Sequence, residues 1–154
     1  MDNYELIEKA CELYEKGDFV SAFNLFLAGA ENGDSSCMLW IASMYTCGEG
    51  VECDYGKAEE WELKAVEYGD ISGMINLGIT YRMKGDIRKS KEWFEKALES
   101  GDGSAALELA KLYIISEKET ETVVQYLSRA ILSGSMCESE IEEANSLLAC
   151  YKSP

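Results

Sequence analysis

Apolar residues along the chain fall at helical spacings, in paired runs that recur. One run reads Met38, Ile41, Ala42 and Tyr45. Its counterparts are Met74, Leu77, Gly78, Tyr81 and Ala106, Leu109, Ala110, Tyr113. Steps of three, one and three residues place each set on one stripe of an α-helix. A second run, Ala58, Trp61 and Ala65, forms another stripe. Val, Ile and Thr are not gathered in alternating runs, and the one Pro is the last residue, so helices are favoured over strands. The pattern predicts helices over 3–16, 18–32, 35–47, 55–68, 71–84, 86–100, 103–116, 119–133 and 138–151.

The runs share one register. Gly33-Asp34, Gly69-Asp70 and Gly101-Asp102 recur, with Gly134-Ser135 in phase, at steps of 36, 32 and 33 residues. Eight residues before each glycine stand Leu25, Trp61, Trp93 and Tyr126. Four before stand Gly29, Ala65, Ala97 and Ala130, and eleven before stand Ala22, Ala58, Ser90 and Val123. The glycine suits a left-handed helix end, and the Asp or Ser after it can start the next helix. Each unit is therefore an antiparallel helix pair that cannot bury both stripes alone and must stack on its neighbours. The expected fold is all-α, a right-handed superhelical solenoid of about four helix pairs. A single domain over 1–154 would hold repeats at about 1–34, 35–70, 71–102 and 103–135. The last segment, 138–151, lacks a partner run and reads as a capping helix, with Ile141, Ala144, Leu147, Leu148 and Tyr151 on its apolar side.

The second unit carries a more specific signature. Leu39 to Tyr45 is followed by Gly48-Glu49-Gly50-Val51, Asp54, Lys57-Ala58, Trp61, Lys64-Ala65 and Gly69-Asp70. This stretch resembles the Sel1-like repeat, with Ala42 in place of the usual glycine. Residues 71–135 keep the helix columns and lose the glycine-x-glycine-valine loop. The turns Lys16-Gly17-Asp18 and Lys84-Gly85-Asp86 resemble those of tetratricopeptide repeats. The resemblance covers about 1–135 and is strongest at 36–102. It implies an adaptor or regulator that holds protein partners along a curved surface, without catalytic apparatus. Such families are widespread in bacteria, where short members can accompany secreted effectors.

Charge narrows the partner class. Twenty-nine acidic residues face fourteen basic ones, a net charge of −15. That excess argues against nucleic acid and against anionic membrane surfaces. A charged partner would be a basic protein; the plainer reading is that acidity serves solubility. The excess is uneven: residues 1–70 carry a net −12, and residues 71–102 carry +1. The start of the chain shows no secretory pattern, and no apolar run is long enough for a membrane span, so a cytoplasmic protein is expected.

Candidate chemistry is sparse. The chain has no His, which removes the commonest general base and every His-based triad. Six cysteines (Cys11, Cys37, Cys47, Cys53, Cys137 and Cys150) include no C-x-x-C pair, and reduced structural thiols are the expectation over a Cys37–Cys47–Cys53 metal cluster. Gly48-x-Gly50 has no Lys-Ser after it and reads as a helix connection rather than a phosphate cradle. Glu59-Glu60 and Glu142-Glu143 read as solvated helix faces, Asp54 as a helix cap, and Trp61 and Trp93 as core. No catalytic residue, metal or cofactor is expected.

The remaining candidates are surface positions. In stacked helix pairs the first helix of each unit lines the concave face. Its non-stripe positions here are Leu39, Trp40 and Ser43, then Ile75, Asn76 and Ile79, then Leu107, Glu108 and Lys111. Apolar residues in that setting suggest a partner-binding groove; closer helix packing that buries them is the competing reading. Glu49, Glu52, Asp54, Glu59 and Glu60 form the expected electrostatic patch. The function expected is a non-catalytic protein-binding module, in its sharper form an inhibitor or immunity protein for a basic toxin or effector domain. A scaffold or signalling adaptor is the second reading, and a metal-binding cysteine protein or an enzyme the third.

Overall fold

The computed structural model describes residues 3–116 and 120–152. Among these residues run nine α-helices and no strand: α1 Asn3–Glu15, α2 Phe19–Glu31, α3 Ser35–Cys47, α4 Tyr55–Glu67, α5 Ser72–Met83, α6 Ile87–Glu99, α7 Ser104–Ser116, α8 Thr120–Leu132 and α9 Glu138–Lys152. Every boundary lies within one residue of the sequence-based expectation. The expected start of the eighth helix at residue 119, and the outermost two residues at each end of the expected domain, fall outside the described residues.

The turns explain this regularity. Gly33, Gly69 and Gly101 stand at φ +88°, +86° and +96°, a left-handed conformation that costs any residue with a Cβ. Each reverses the chain and delivers an aspartate to the start of the following helix. Asp34 Oδ1 accepts from Cys37 N at 2.9 Å, Asp70 Oδ1 from Ser72 N at 3.0 Å, and Asp102 Oδ1 from Ser104 N at 2.9 Å. Caps of this kind are worth about 1 kcal/mol each. Two of these aspartates have a second partner at the start of the preceding helix pair. Asn3 Nδ2 donates to Asp34 Oδ2 at 2.7 Å, and Ser35 Oγ donates to Asp70 Oδ2 at 2.9 Å.

The chain divides into two compact units, 1–80 and 81–154, with the division inside α5. In the first unit α1 packs on α2, α2 on α3, and α3 on α4. Its core gathers Ala10, Ala22, Phe26, Ala30, Cys37, Met38, Ile41, Met44 and Ala65. The Gly48–Val51 loop is drawn close to the start of α2. A Cβ on Gly50 (φ +73°) would lie 2.6 Å from the Phe19 carbonyl carbon and oxygen, so only glycine fits there. In the second unit α7 contacts α6, α8 and α9. Phe94, Leu109, Val123, Leu127 and Ala144 are fully buried between these helices.

The column expected to form the core is displaced by one residue. Trp61 and Trp93 are half-buried, while their neighbours Glu62 and Phe94 are buried, as are Phe26 and Leu127 in the same register. The outer faces of the tryptophans are covered from their own helices. Lys64 Nζ lies 4.0 Å from the Trp61 ring centroid, and Lys96 Nζ lies 4.0 Å from that of Trp93. The recurring Lys-Ala pair thus places a cation on an aromatic face and a small residue in the core.

Candidate protein-binding surface

Six of the nine residues expected on the binding face belong to the first unit, and five of them border two depressions along α3 and α5. Leu39, Trp40 and Ser43 line the first with Ser36, Asp70 and Ser72, enclosing about 360 Å³. Ser43, Asn76 and Ile79 line the second with Thr46, Glu62 and Thr80, enclosing about 180 Å³. Ser43 is exposed and belongs to both, so the depressions meet at this residue. Ile75 is half-buried and borders neither.

Trp40 is firmly placed. Its ring stacks on Phe26 at 5.0 Å with an interplanar angle of 5°, and meets Tyr14 edge-on at 5.0 Å. One face therefore continues the core while the half-buried ring still borders the first depression. An aromatic held this way presents apolar area with little rotamer freedom left to lose on binding.

The three candidates in the second unit are arranged differently. Leu107 is 1% exposed and cannot contact a partner. The cause is that α7 is enclosed by α6, α8 and α9, so more than one of its stripes is buried. Glu108 and Lys111 are held in an ion-pair network within this unit. Arg82 Nη1 donates to Glu108 Oε2 at 2.6 Å, and Lys111 Nζ reaches Glu108 Oε1 at 3.0 Å and Glu143 Oε2 at 2.9 Å. Burial works against the Lys111 charge, but its hydrogen bonds to Glu143 and Glu108 outweigh it and raise its pKa. Glu143 is thus tied into the network rather than only solvated.

The acidic patch separates into engaged and open groups. Glu49 Oε2 accepts from Tyr14 Oη at 2.5 Å. That bond, with burial, pushes the Tyr14 phenol up to about 12. Asp54 caps α4 through bonds from Gly56 N at 2.9 Å and Lys57 N at 3.1 Å. Glu59 is half-buried; Glu52 and Glu60 are exposed and are the members open to steer a charged partner.

Sequence reasoning passed over Glu62, Thr46 and Thr80. The signal for Glu62 was present: it stands seven residues before Gly69, where the other repeats have Phe26, Phe94 and Leu127. Among the described residues no three His, Cys, Asp or Glu side chains gather as a metal-ligand set. Cys37 is buried, and burial, with Asp34 nearby, pushes its thiol up to about 12. No described helix is long and apolar enough to cross a membrane.

Comparison with known proteins agrees with the repeat register. The family model described as Sel1 repeat matches residues 9–34, 35–70 and 71–102. No curated protein matches the chain. Among solved structures, a Sel1 repeat protein from Oxalobacter formigenes is 25% identical with a TM-score of 0.74, over 94% of this chain and 60% of that one. The protein c5321, a protective antigen present in uropathogenic Escherichia coli strains and displaying an SLR fold, is 20% identical with a TM-score of 0.75. That match covers 97% of this chain and 33% of that one. The chain thus spans less than two thirds of either relative. The immunity protein Pa5087 from Pseudomonas aeruginosa aligns at a TM-score of only 0.44 and 15% identity, over 93% of this chain and 82% of that one, too distant to carry a functional argument.

Proposed function

Since the chain belongs to the Sel1 repeat family, whose repeats mediate protein–protein interaction, we propose that it is a non-catalytic binding module that inhibits a basic toxin or effector domain in the cytoplasm. The observation that carries this reading is the coincidence of two features in the first unit. The depressions along α3 and α5 offer Leu39, Trp40, Ser43, Asn76 and Ile79 to a partner. The same unit carries a net charge of −12 over residues 1–70 and no charged residue over 71–80, with Glu52 and Glu60 open to solvent. An apolar and polar groove set in a negative field suits a partner with a cationic cleft, which it would attract at a distance and block on contact. Occlusion by binding asks no chemistry of the chain.

Affinity capture with the whole chain as bait, followed by mass spectrometry and reconstitution with the purified partner, tests the proposal. The expected result is a basic protein released by salt, whose own activity falls stoichiometrically when the chain is added. A partner that binds equally at low and high salt, or whose activity is unaffected by saturating amounts of the chain, would overturn the inhibitor reading. The scaffold reading would then take its place.

A further inference from the structure

One register position differs in kind among the repeats. Seven residues before the closing glycine, Phe26, Phe94 and Leu127 are 0% exposed. In the second repeat that position is Glu62, only 3% exposed. A carboxylate therefore stands where the helix packing elsewhere takes a large apolar side chain. Such burial is costly unless the group is compensated. Thr80 Oγ1 donates to Glu62 Oε1 at 2.8 Å. Beside this pair opens the cavity of about 180 Å³, and Glu62 is the acidic member of its lining. The rest of the wall offers the hydroxyls of Ser43, Thr46 and Thr80, the carboxamide of Asn76 and the side chain of Ile79. Among the described residues no basic side chain lines it.

We propose that this pocket receives an arginine side chain of the protein partner, with Glu62 as its counter-ion. The lining residues carry carboxylate, carboxamide and hydroxyl oxygens, a set of acceptors that suits a planar guanidinium with five donors better than a compact ammonium. Guanidinium is also the more weakly hydrated of the two cations, so enclosing it costs less. Ile79 lies along the apolar stem of the entering side chain. The pocket meets the Trp40 depression at Ser43, so an arginine anchored here would sit beside the aromatic contact; buried Arg and Trp contacts commonly dominate interface energetics. The origin of the arginine rests on the protein-binding reading above, but the pocket can be tested without any partner.

The test is an amide NMR titration of the whole chain with Nα-acetyl-arginine amide, against its neutral isostere Nα-acetyl-citrulline amide. Saturable shifts are expected at Ser43, Thr46, Asn76, Ile79 and Thr80. Binding of the citrulline probe should be about tenfold weaker, the difference between a charge-assisted and a neutral hydrogen bond. Glu62→Gln should abolish the preference for arginine. Glu62→Leu, which restores the apolar register of the other repeats, should keep the fold and remove the arginine shifts. If Glu62→Gln fails to fold, the probe comparison on the unmodified chain and the Glu62→Leu variant still decide. Equal shifts with both probes, shifts centred on Glu52 and Glu60, or an arginine preference surviving in Glu62→Leu would overturn the assignment. Any of these would leave the protein-binding reading standing. Failure to capture a basic partner would remove that reading without altering the probe result.

Discussion

Tyr14 Oη donates a hydrogen bond to Glu49 Oε2, joining the end of α1 to the loop before α4 across 35 residues of sequence. The contact makes Glu49 part of the fabric of the first unit rather than a free surface charge. Tyr14→Phe keeps the ring contacts with Phe19 and Trp40 and removes only the hydroxyl. It is expected to cost about 1 kcal/mol, the ordinary worth of one partly buried hydrogen bond, measured by denaturant unfolding. Because the phenol is raised from 10.0 to about 12 in the folded chain, the stabilisation is complete below pH 10 and is lost as pH climbs through about 12. Absorbance titration should find one tyrosine ionising near 12, and Tyr14→Phe should remove it.

The displaced core column gives an ordering of stabilities. Phe26→Ala and Phe94→Ala each empty a fully buried site and should cost about 3–5 kcal/mol. Trp61→Ala and Trp93→Ala, at half-buried positions, should cost about 2 kcal/mol despite the larger ring. Urea melts of the four variants would reveal the order, and tryptophan variants costing more than the phenylalanine ones would contradict the burial pattern.

Much of this architecture was legible in the sequence because it rests on local chemistry. A glycine that ends one helix and an aspartate that starts the next are readable wherever they stand, and they placed the helix boundaries to within one residue. Which of two adjacent residues is buried was less legible. A helical stripe is wide enough to hold both Trp61 and Glu62, and the tilt between packed helices decides which turns inward. Leu107 was misplaced for a related reason, since α7 is enclosed by three helices and a single-stripe reading leaves its second buried face in solvent. Of the residues expected on the binding face in the first unit, five border two depressions, as their shared helix faces would place them. Glu62 was missed because charged residues were weighed in pairs along the chain and not down the repeat columns.

The thiols should divide by burial. Cys47, Cys53, Cys137 and Cys150 are exposed and should react rapidly with a thiol reagent in the native protein. Cys37, buried and raised to about 12, should react only on unfolding, because the thiolate is the attacking species. Cys11, half-buried and raised by burial and then by Glu15, should fall between. Mass-spectrometric mapping of labelled sites over time would resolve the three classes.

Once a protein partner is in hand, the two surfaces of the first unit should affect different rates. Trp40→Ala or Ile79→Asp should speed dissociation, since buried anchors act mainly on off-rates. Glu52→Lys and Glu60→Lys should slow association, and that effect should fade as salt shortens the screening length to about 8 Å and below. Glu49→Lys belongs to neither class, because it also breaks the bond from Tyr14. Surface plasmon resonance across a salt series separates these cases; off-rates untouched by Trp40 and Ile79 changes would move the contact away from α3 and α5.

Asp34 and Asp70 each hold the start of a helix with one carboxylate oxygen and a side chain from the start of the helix pair before it with the other. Their double role bears on how the first unit comes apart. A repeat that peels from its neighbour leaves the next helix with a half-satisfied cap, and a helix that frays at its start releases the repeat before it. Opening is therefore transmitted along the chain, as in a row of nearest-neighbour units whose interfaces carry much of the cooperativity. The helices of the first unit would melt as a coupled series, and a partner clamped on α3 and α5 would protect α1 and α2, which it never touches.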